Sequence, residues 1–259
     1  MDAATVLAWL AERRTTDAPA VIVVAHPDDE TVAASVPISL FPNLTLVHVT
    51  NGAPADMRDA FAAGHETAEE YAAARAYEFS CAMQELGARP QTHRLDVRDQ
   101  EAISNLRFVE DALRPILDGA EVVFTHAYEG GHPDHDACAL AVRGVLGDDP
   151  RAAFLEFPLY HGKKAGNWIL QRFPDAPAGL TLSLTAQEEA RKRAALDCFV
   201  TQRRLLARFD LAREVFRAAP VYDFSKPPHP GTLLYERFGW WIDGERWRAL
   251  AADVAAAGH

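Results

Sequence analysis

Two short segments hold the residue types that do chemistry: His26-Pro27-Asp28-Asp29-Glu30 and His132-Pro133-Asp134-His135. Each follows a run of β-branched and apolar residues and leads into a helix-like stretch, so each is expected at a loop tip between a strand and a helix. Imidazole and carboxylate are the ligands of hydrolytic zinc sites, in which a spare carboxylate activates water. His26 and Asp29 have the spacing to wrap one ion at such a turn, and His135 comes from a second turn. Two histidines and one carboxylate leave a coordination position open, the mark of a catalytic zinc site, and Fe2+ accepts the same set. Asp28 is then the surplus carboxylate, placed to act as general base. His132 is the surplus imidazole; protonated, it can stabilise an oxyanion and then protonate a leaving amine. Asp134 can accept a proton from an imidazole nitrogen and fix its tautomer. Gly130 and Gly131 allow close approach of backbone to a substrate.

The elements that must position these residues alternate. Thr5 to Arg14 reads as an amphipathic helix, Ala20 to Ala25 as a strand buried on both faces, and Asp29 to Leu40 as a helix. Asn43 to Thr50 is a second strand, ended by Asn51-Gly52. Ala53 to Gly64 reads as a loop, and Glu66 to Leu86 as a long helix stopped by Gly87. Gln91 to Leu95 is a third strand, with Asp96 at its end. Glu101 to Leu117 is a helix, Glu121 to His126 a fourth strand, Asp134 to Leu146 a helix, and Ala152 to Phe157 a fifth strand. This pattern predicts an α/β fold: a doubly wound, mostly parallel sheet with helices on both faces and its active site at the carboxyl edge of the strands. Further on, Gly162 to Gly179 reads as a loop or cover, Thr185 to Phe209 as one charged helix with a capping box, and Thr232 to Phe238 as a last strand. No linker divides the chain, so 1–259 reads as a single domain, with a core over about 18–160 and a C-terminal helix and cover over 161–259.

The composition fits a packed globule: 49% of the 259 residues are apolar and the formal net charge is -11. An acidic chain repels phosphate backbones, which argues against a nucleic-acid partner or an anionic membrane surface. Cys81, Cys138 and Cys198 are scattered and odd in number, so no disulfide framework or C-x-x-C site is expected. No apolar run approaches the length of a membrane span, and no secretory leader is visible, which predicts a cytoplasmic location. Low complexity is confined to the Ala-rich tail from Ala249 to Gly258.

The paired motifs resemble the zinc-dependent N-acetylglucosaminyl-phosphatidylinositol de-N-acetylase family, called PIG-L or LmbE-like. Weaker likeness lies in Asn51-Gly52, Arg75-x-x-Glu78, Leu86-Gly87 and Gln202. The resemblance implies a Rossmann-like fold that hydrolyses N-acyl groups, usually N-acetyl from an amino sugar. It implies zinc on His26, Asp29 and His135, a general base at Asp28, oxyanion and leaving-group duties at His132, and orientation of a histidine by Asp134. Some members carry a tyrosine two residues before the catalytic histidine; this chain has Gly130 there, with Tyr128 nearby.

The expected activity is therefore removal of an N-acetyl or N-acyl group from an amino sugar or small sugar conjugate. The partner is a small molecule, and a homo-oligomer is in keeping with the family. Arg58 and Asp96 are the substrate-binding candidates: Arg58 lies in the loop from Ala53 to Gly64, and Asp96 on the presumed active-site edge. His126 can support the metal ligands, and Trp168, Trp240 and Trp241 can form a stacking wall. Two alternatives stay open. One is a metal-dependent hydrolase of another amide or a phosphoester. The other is a non-catalytic sugar- or nucleotide-binding module, against which the first turn lacks a G-x-G-x-x-G pattern.

Overall fold

The computed structural model describes residues 1–148, 150–162, 167–175 and 179–257. The chain begins with α1 (Ala3–Ala11), whose first turn is capped by the Asp2 side chain. β1 (Ala20–Val24) is buried along its whole length because layers cover both of its faces. Val21 and Val23 join one hydrophobic core, and Ile22 and Val24 the other.

The helix expected over Asp29 to Leu40 is two helices, α2 (Asp29–Ala33) and α3 (Ser35–Leu40). The break has a visible cause. The buried Glu214 carboxylate accepts hydrogen bonds from the Ser35 and Val36 N–H groups, and Lys192 neutralises it at 2.9 Å. A fresh helix N-terminus is thus held over an anion. β2 (Leu44–Pro54) runs past its expected end at Thr50, and α4 (Arg58–Ala62) occupies much of the expected loop. α5 (Ala68–Leu86) starts with a Thr67–Glu70 capping box and ends at Gly87, φ 69°. β3 (Gln91–Asp99) follows, then α6 (Leu106–Leu117), β4 (Val122–His126), α7 (Pro133–Leu146) and β5 (Ala153–Phe157).

The second half departs further from expectation. β6 (Tyr160–Gly162) and β7 (Trp168–Leu170) pair antiparallel within the expected cover. That cover is only partly described: residues 163–166 and 176–178 lie outside the described residues, as does Gly258 of the tail. β8 (Leu180–Ser183) precedes α8 (Ala186–Asp197). The helix expected to reach Phe209 ends at Asp197; a 3-10 turn and α9 (Arg203–Leu206) follow. Thr201 explains the turn, since its N–H and hydroxyl both donate to Glu78 of α5. β9 (Arg213–Ala218) pairs with β5 and β8. Thr232 to Phe238 is a loop with a 3-10 turn rather than a strand. The Ala-rich tail belongs to α10 (Gly244–Ala257), in which Trp247 is fully buried.

The sheet order is β3-β2-β1-β4-β5-β9-β8, with β3 through β5 parallel and the last two strands antiparallel. Strand order reverses between β1 and β4, so the loops after these strands flank a crevice. These are the loops that hold the two chemistry-bearing motifs. No helix among the described residues is long and apolar enough to cross a membrane.

Candidate active site

The turn after β1 is held from several directions. Arg75 of α5 is buried, and its Nη2 donates to Pro27 O at 2.8 Å and to Asp28 Oδ2 at 3.0 Å. Its Nη1 donates to Gly52 O at 3.1 Å. Glu30, fully buried, accepts from the Asp28 N–H and lies 3.0 Å from His48 Nε2 on β2. Between these clamps Asp28 takes φ 138°, a conformation L-residues rarely adopt. Such strain costs about 1–3 kcal/mol and persists only where the surroundings over-determine it. The Asp29 carboxylate then accepts from the His26 N–H at 2.8 Å, closing the turn.

The loop after β4 is equally fixed. Asp136 accepts from the Glu129 and Gly130 N–H groups, both at 3.0 Å, and Glu129 accepts from the Leu159 and Tyr160 N–H groups. Gly131 is obligatory, since a Cβ there would lie 1.8 Å from Tyr160 O. Pro133 stands at the first turn of α7, where a missing N–H costs nothing, and Trp247 Nε1 donates to its carbonyl at 3.0 Å.

The two loops converge. Asp29 Oδ2 lies 3.3 Å from His26 Nδ1, and Asp29 Oδ1 lies 3.4 Å from His135 Nε2. One donor nitrogen from each of His26, His132 and His135 lies within 4.8 Å of the others. A second group joins His26 and His132 to Asp99 and Asp134, and a third joins Asp29 and His135 to His126. His126 accepts from the Ala25 N–H and stacks on His135 at 4.1 Å, so it supports that ring.

The donor set fits a divalent cation. Both ring nitrogens of fully buried His135 and Asp99 Oδ1 have no hydrogen-bond partner among the described residues. Such atoms are costly to bury unless something binds them. The electrostatics agree. Burial works against a charge on His26, yet Asp99, Asp134 and Asp29 raise its proton affinity well above normal. A metal cation would meet the same negative field.

The Asp28 carboxyl is pushed up to about 8 by burial, with Arg75 opposing and Asp29 adding to the rise. His132 is lowered to about 3 by burial and the neighbouring His26. Its Nδ1 accepts from the Asp134 N–H at 3.2 Å, which leaves the proton of the neutral ring on Nε2. Both effects favour a neutral ring that donates from Nε2, whereas the form expected from the sequence is the protonated one. Asp134 Oδ2 lies 3.3 Å from His26 Nε2, within reach to orient that ring, and 3.8 Å from His132 Nδ1, and the carboxylate also accepts from the Gln100 and Ala102 N–H groups.

A cavity of about 370 Å³ opens over this group. His26, Asp28, Asp29 and His132 face it, and so does Arg58, whose side chain is 79% exposed. The structure does not bring Asp96 there. β3 slips in register beyond His48 of β2, and Asp96 adopts φ 53°. Its carboxylate is 57% exposed and pairs with Arg94 outside the cavity lining. Asp99, three residues on, lines the cavity instead and lies 3.3 Å from His26 Nε2 and 3.5 Å from His132 Nε2. Tyr128 does not line it either; its hydroxyl donates to Lys226 O and its ring stacks on Trp247. Tyr160, just beyond β5, faces the cavity 5.2 Å from the His135 ring. Asp99, Tyr160 and the grip of Arg75 were missed in the sequence, although Tyr160 lies where the carboxyl-edge rule points.

No curated protein matches the sequence of this chain. Among solved structures it resembles the zinc-inhibited form of teicoplanin deacetylase Orf2 (17% identity, TM-score 0.55), covering 72% of this chain and 85% of that one. It also resembles N,N'-diacetylchitobiose deacetylase from Pyrococcus horikoshii (16%, TM-score 0.52, 84% and 90% covered). A third is GalB, the 4-carboxy-2-hydroxymuconate hydratase from Pseudomonas putida KT2440 (19%, TM-score 0.51, 73% and 81% covered). These likenesses establish a shared fold. The family described as PIG-L, GlcNAc-PI de-N-acetylase, matches residues 21–146, the span that holds both motifs. The chain therefore carries a PIG-L family domain over residues 21–146.

Proposed function

We propose that the protein is a metal-dependent hydrolase that removes an N-acetyl or other N-acyl group from an amino sugar or small sugar conjugate, in the cytoplasm. The observation that carries this reading is that the Asp29 carboxylate lies 3.3 Å from His26 and 3.4 Å from His135, beside a second carboxylate, Asp28, that Arg75 holds against the same cavity. The family match and the two deacetylases of like fold support it.

His26, Asp29 and His135 would hold the cation, Zn2+ or Fe2+, which when bound lowers the pKa of water and polarises a carbonyl. Among the described residues, the hydrogen bonds to the Asp28 carboxyl go to Oδ2, which leaves Oδ1 for the substrate side. Asp28 takes a proton from the attacking water and returns it to the departing amine nitrogen, so water and amide give carboxylic acid and amine. The Nε2–H of His132 donates to the amide oxygen as negative charge develops there. Asp134 keeps His26 and His132 in register through Oδ2 and its own N–H. Arg58 reaches the cavity mouth, where it can meet a sugar hydroxyl, and Asp99 replaces Asp96 as the acidic group available for that contact.

The fold also occurs in a hydratase, so the bond cleaved must be measured. The test is release of free amine and acetate from a panel of N-acetylated sugars by zinc-loaded protein, beside Asp28→Asn. Release by the wild type alone supports the reading. No release by wild-type protein holding one zinc per chain refutes it.

A further inference from the structure

The cavity has two unlike walls. One bears Asp28, Asp29, Asp56, Asp59 and Asp99 with Arg58 and Arg75. The other comes from segments after β5 and is apolar: Trp168 of β7, Leu205 and Leu206 of α9, and Phe209, Phe238 and Trp240. Its aromatic rings form a closed circuit of contacts with the catalytic histidines. His132 meets Trp240 at 4.9 Å, Trp240 meets Phe238 at 4.9 Å, and Phe238 meets Trp168 at 5.9 Å. Trp168 meets Tyr160 at 5.0 Å, Tyr160 meets His135 at 5.2 Å, and His135 meets His132 at 5.2 Å.

These residues are not simply core. Trp168, Leu205, Phe238 and Trp240 are only partly buried, and their free surface faces the cavity. Apolar surface left open inside a cleft marks a place where a ligand removes it from water. The chemistry of the wall also narrows the ligand. A saccharide unit would need partners for its hydroxyls, and unpaired buried hydroxyls are costly. Among the described lining residues of this wall the polar groups are few: the Gln202 amide, whose Nε2 already donates to Tyr71 OH at 2.7 Å, the Tyr160 hydroxyl and the indole N–H groups of Trp168 and Trp240.

We propose that this wall is a hydrocarbon arm, so that the substrate carries an alkyl or aryl group next to the amide that is cleaved. This rests on the reading of the site as an N-acyl hydrolase. The hydrocarbon is either the acyl chain itself or an apolar substituent on the sugar.

Binding is measured first by tryptophan fluorescence, with zinc-loaded protein and two glucosides that have no amide: methyl β-glucoside and octyl β-glucoside below its micelle concentration. Burial of a methylene is worth about three- to fourfold in affinity, so the octyl compound should bind more than about 30-fold tighter. That margin should shrink in Phe238→Ala and in Leu205→Ala, each checked by circular dichroism. Equal binding of the two glucosides by the wild type overturns the proposal. Hydrolysis then separates the two sources of hydrocarbon. A rise in kcat/KM from N-acetyl- to N-octanoylglucosamine places the acyl chain in the arm. A rise from methyl to octyl N-acetylglucosaminide places the sugar substituent there. A large octyl margin without hydrolysis of any amide sinks the hydrolase reading and leaves the arm standing. Hydrolysis of N-acetylglucosamine without any octyl margin sinks the arm alone.

Discussion

Replacing Arg75 by methionine keeps much of the side-chain volume and removes the guanidinium donors that hold Pro27, Asp28 and Gly52. The carbonyls of Pro27 and Gly52 lose their Arg75 donors. At about 1–3 kcal/mol for each buried acceptor left unsatisfied, the structural loss is about 2–6 kcal/mol. Asp28 adds little, because a carboxyl already pushed to about 8 escapes an unpaired buried charge by keeping its proton. For a chain of this size each kcal/mol moves the melting point by about 2–4 °C, so a fall of about 5–20 °C is expected. The catalytic loss is larger, because the base loses its anchor and the positive charge that opposes the rise of its pKa: about 10²–10⁴ in kcat, with KM within about threefold. In Arg75→Ala, added guanidinium should restore part of kcat by refilling the same contacts. The assays are a thermal melt and initial rates on one hydrolysed amide. A methionine variant that melts within about 2 °C of wild type and keeps more than a tenth of its kcat would refute the reasoning.

Asp28→Asn should retain bound metal, read by elemental analysis, while turnover falls by at least about tenfold. A chelator should abolish turnover and lower the melting point, and re-addition of zinc to about one per chain should restore both; full activity after verified metal removal would contradict the assignment of His26, Asp29 and His135. Gly131→Ala forces a Cβ against Tyr160 O, and a loss of at least about 1–3 kcal/mol in urea denaturation is expected. The Glu188 carboxylate meets burial, which opposes its charge, and Arg13 at 2.7 Å, which outweighs burial and holds its pKa below the usual 4.5. Its stabilising effect is therefore present above about pH 4.5 and lost as pH falls through the lowered value. The stability gap between wild type and Glu188→Gln, at most about 1 kcal/mol, should close at acid pH. A gap that widens on acidification would show that Arg13 is not the cause.

Where layers cover both faces of a strand, the sequence announces it. β1 is a short continuous apolar run, β4 begins as one over Val122 to Phe124, and each motif follows one of them. β9 hides for the opposite reason: Glu214 and Arg217 sit in it, and only the fold supplies their partners Lys192 and Glu156. Asp96 and Asp99 were indistinguishable because a register slip is set by pairing across strands, not by local propensity. The break after Asp197 lacks glycine or proline and depends on Glu78, over a hundred positions away. The metal-ligand candidates stand out because each motif is a short local cluster of imidazole and carboxylate. The tautomer of His132 and the grip of Arg75 were not, since both are properties of the assembled turn.

The two walls of the cavity lie in separate parts of the chain. The groups proposed for bond cleavage fall within residues 21–146, whereas Tyr160, Trp168, Leu205, Leu206, Phe209, Phe238 and Trp240 all lie beyond them. Mutation can therefore resculpt recognition while leaving the catalytic turns intact. A lineage built on this plan can diversify its substrates by drift or recombination of the later segment, under relaxed constraint there and strict constraint in the first. A chimaera that keeps the first half of this chain and takes its apolar wall from a relative should inherit the relative's selectivity with this protein's bond-breaking apparatus.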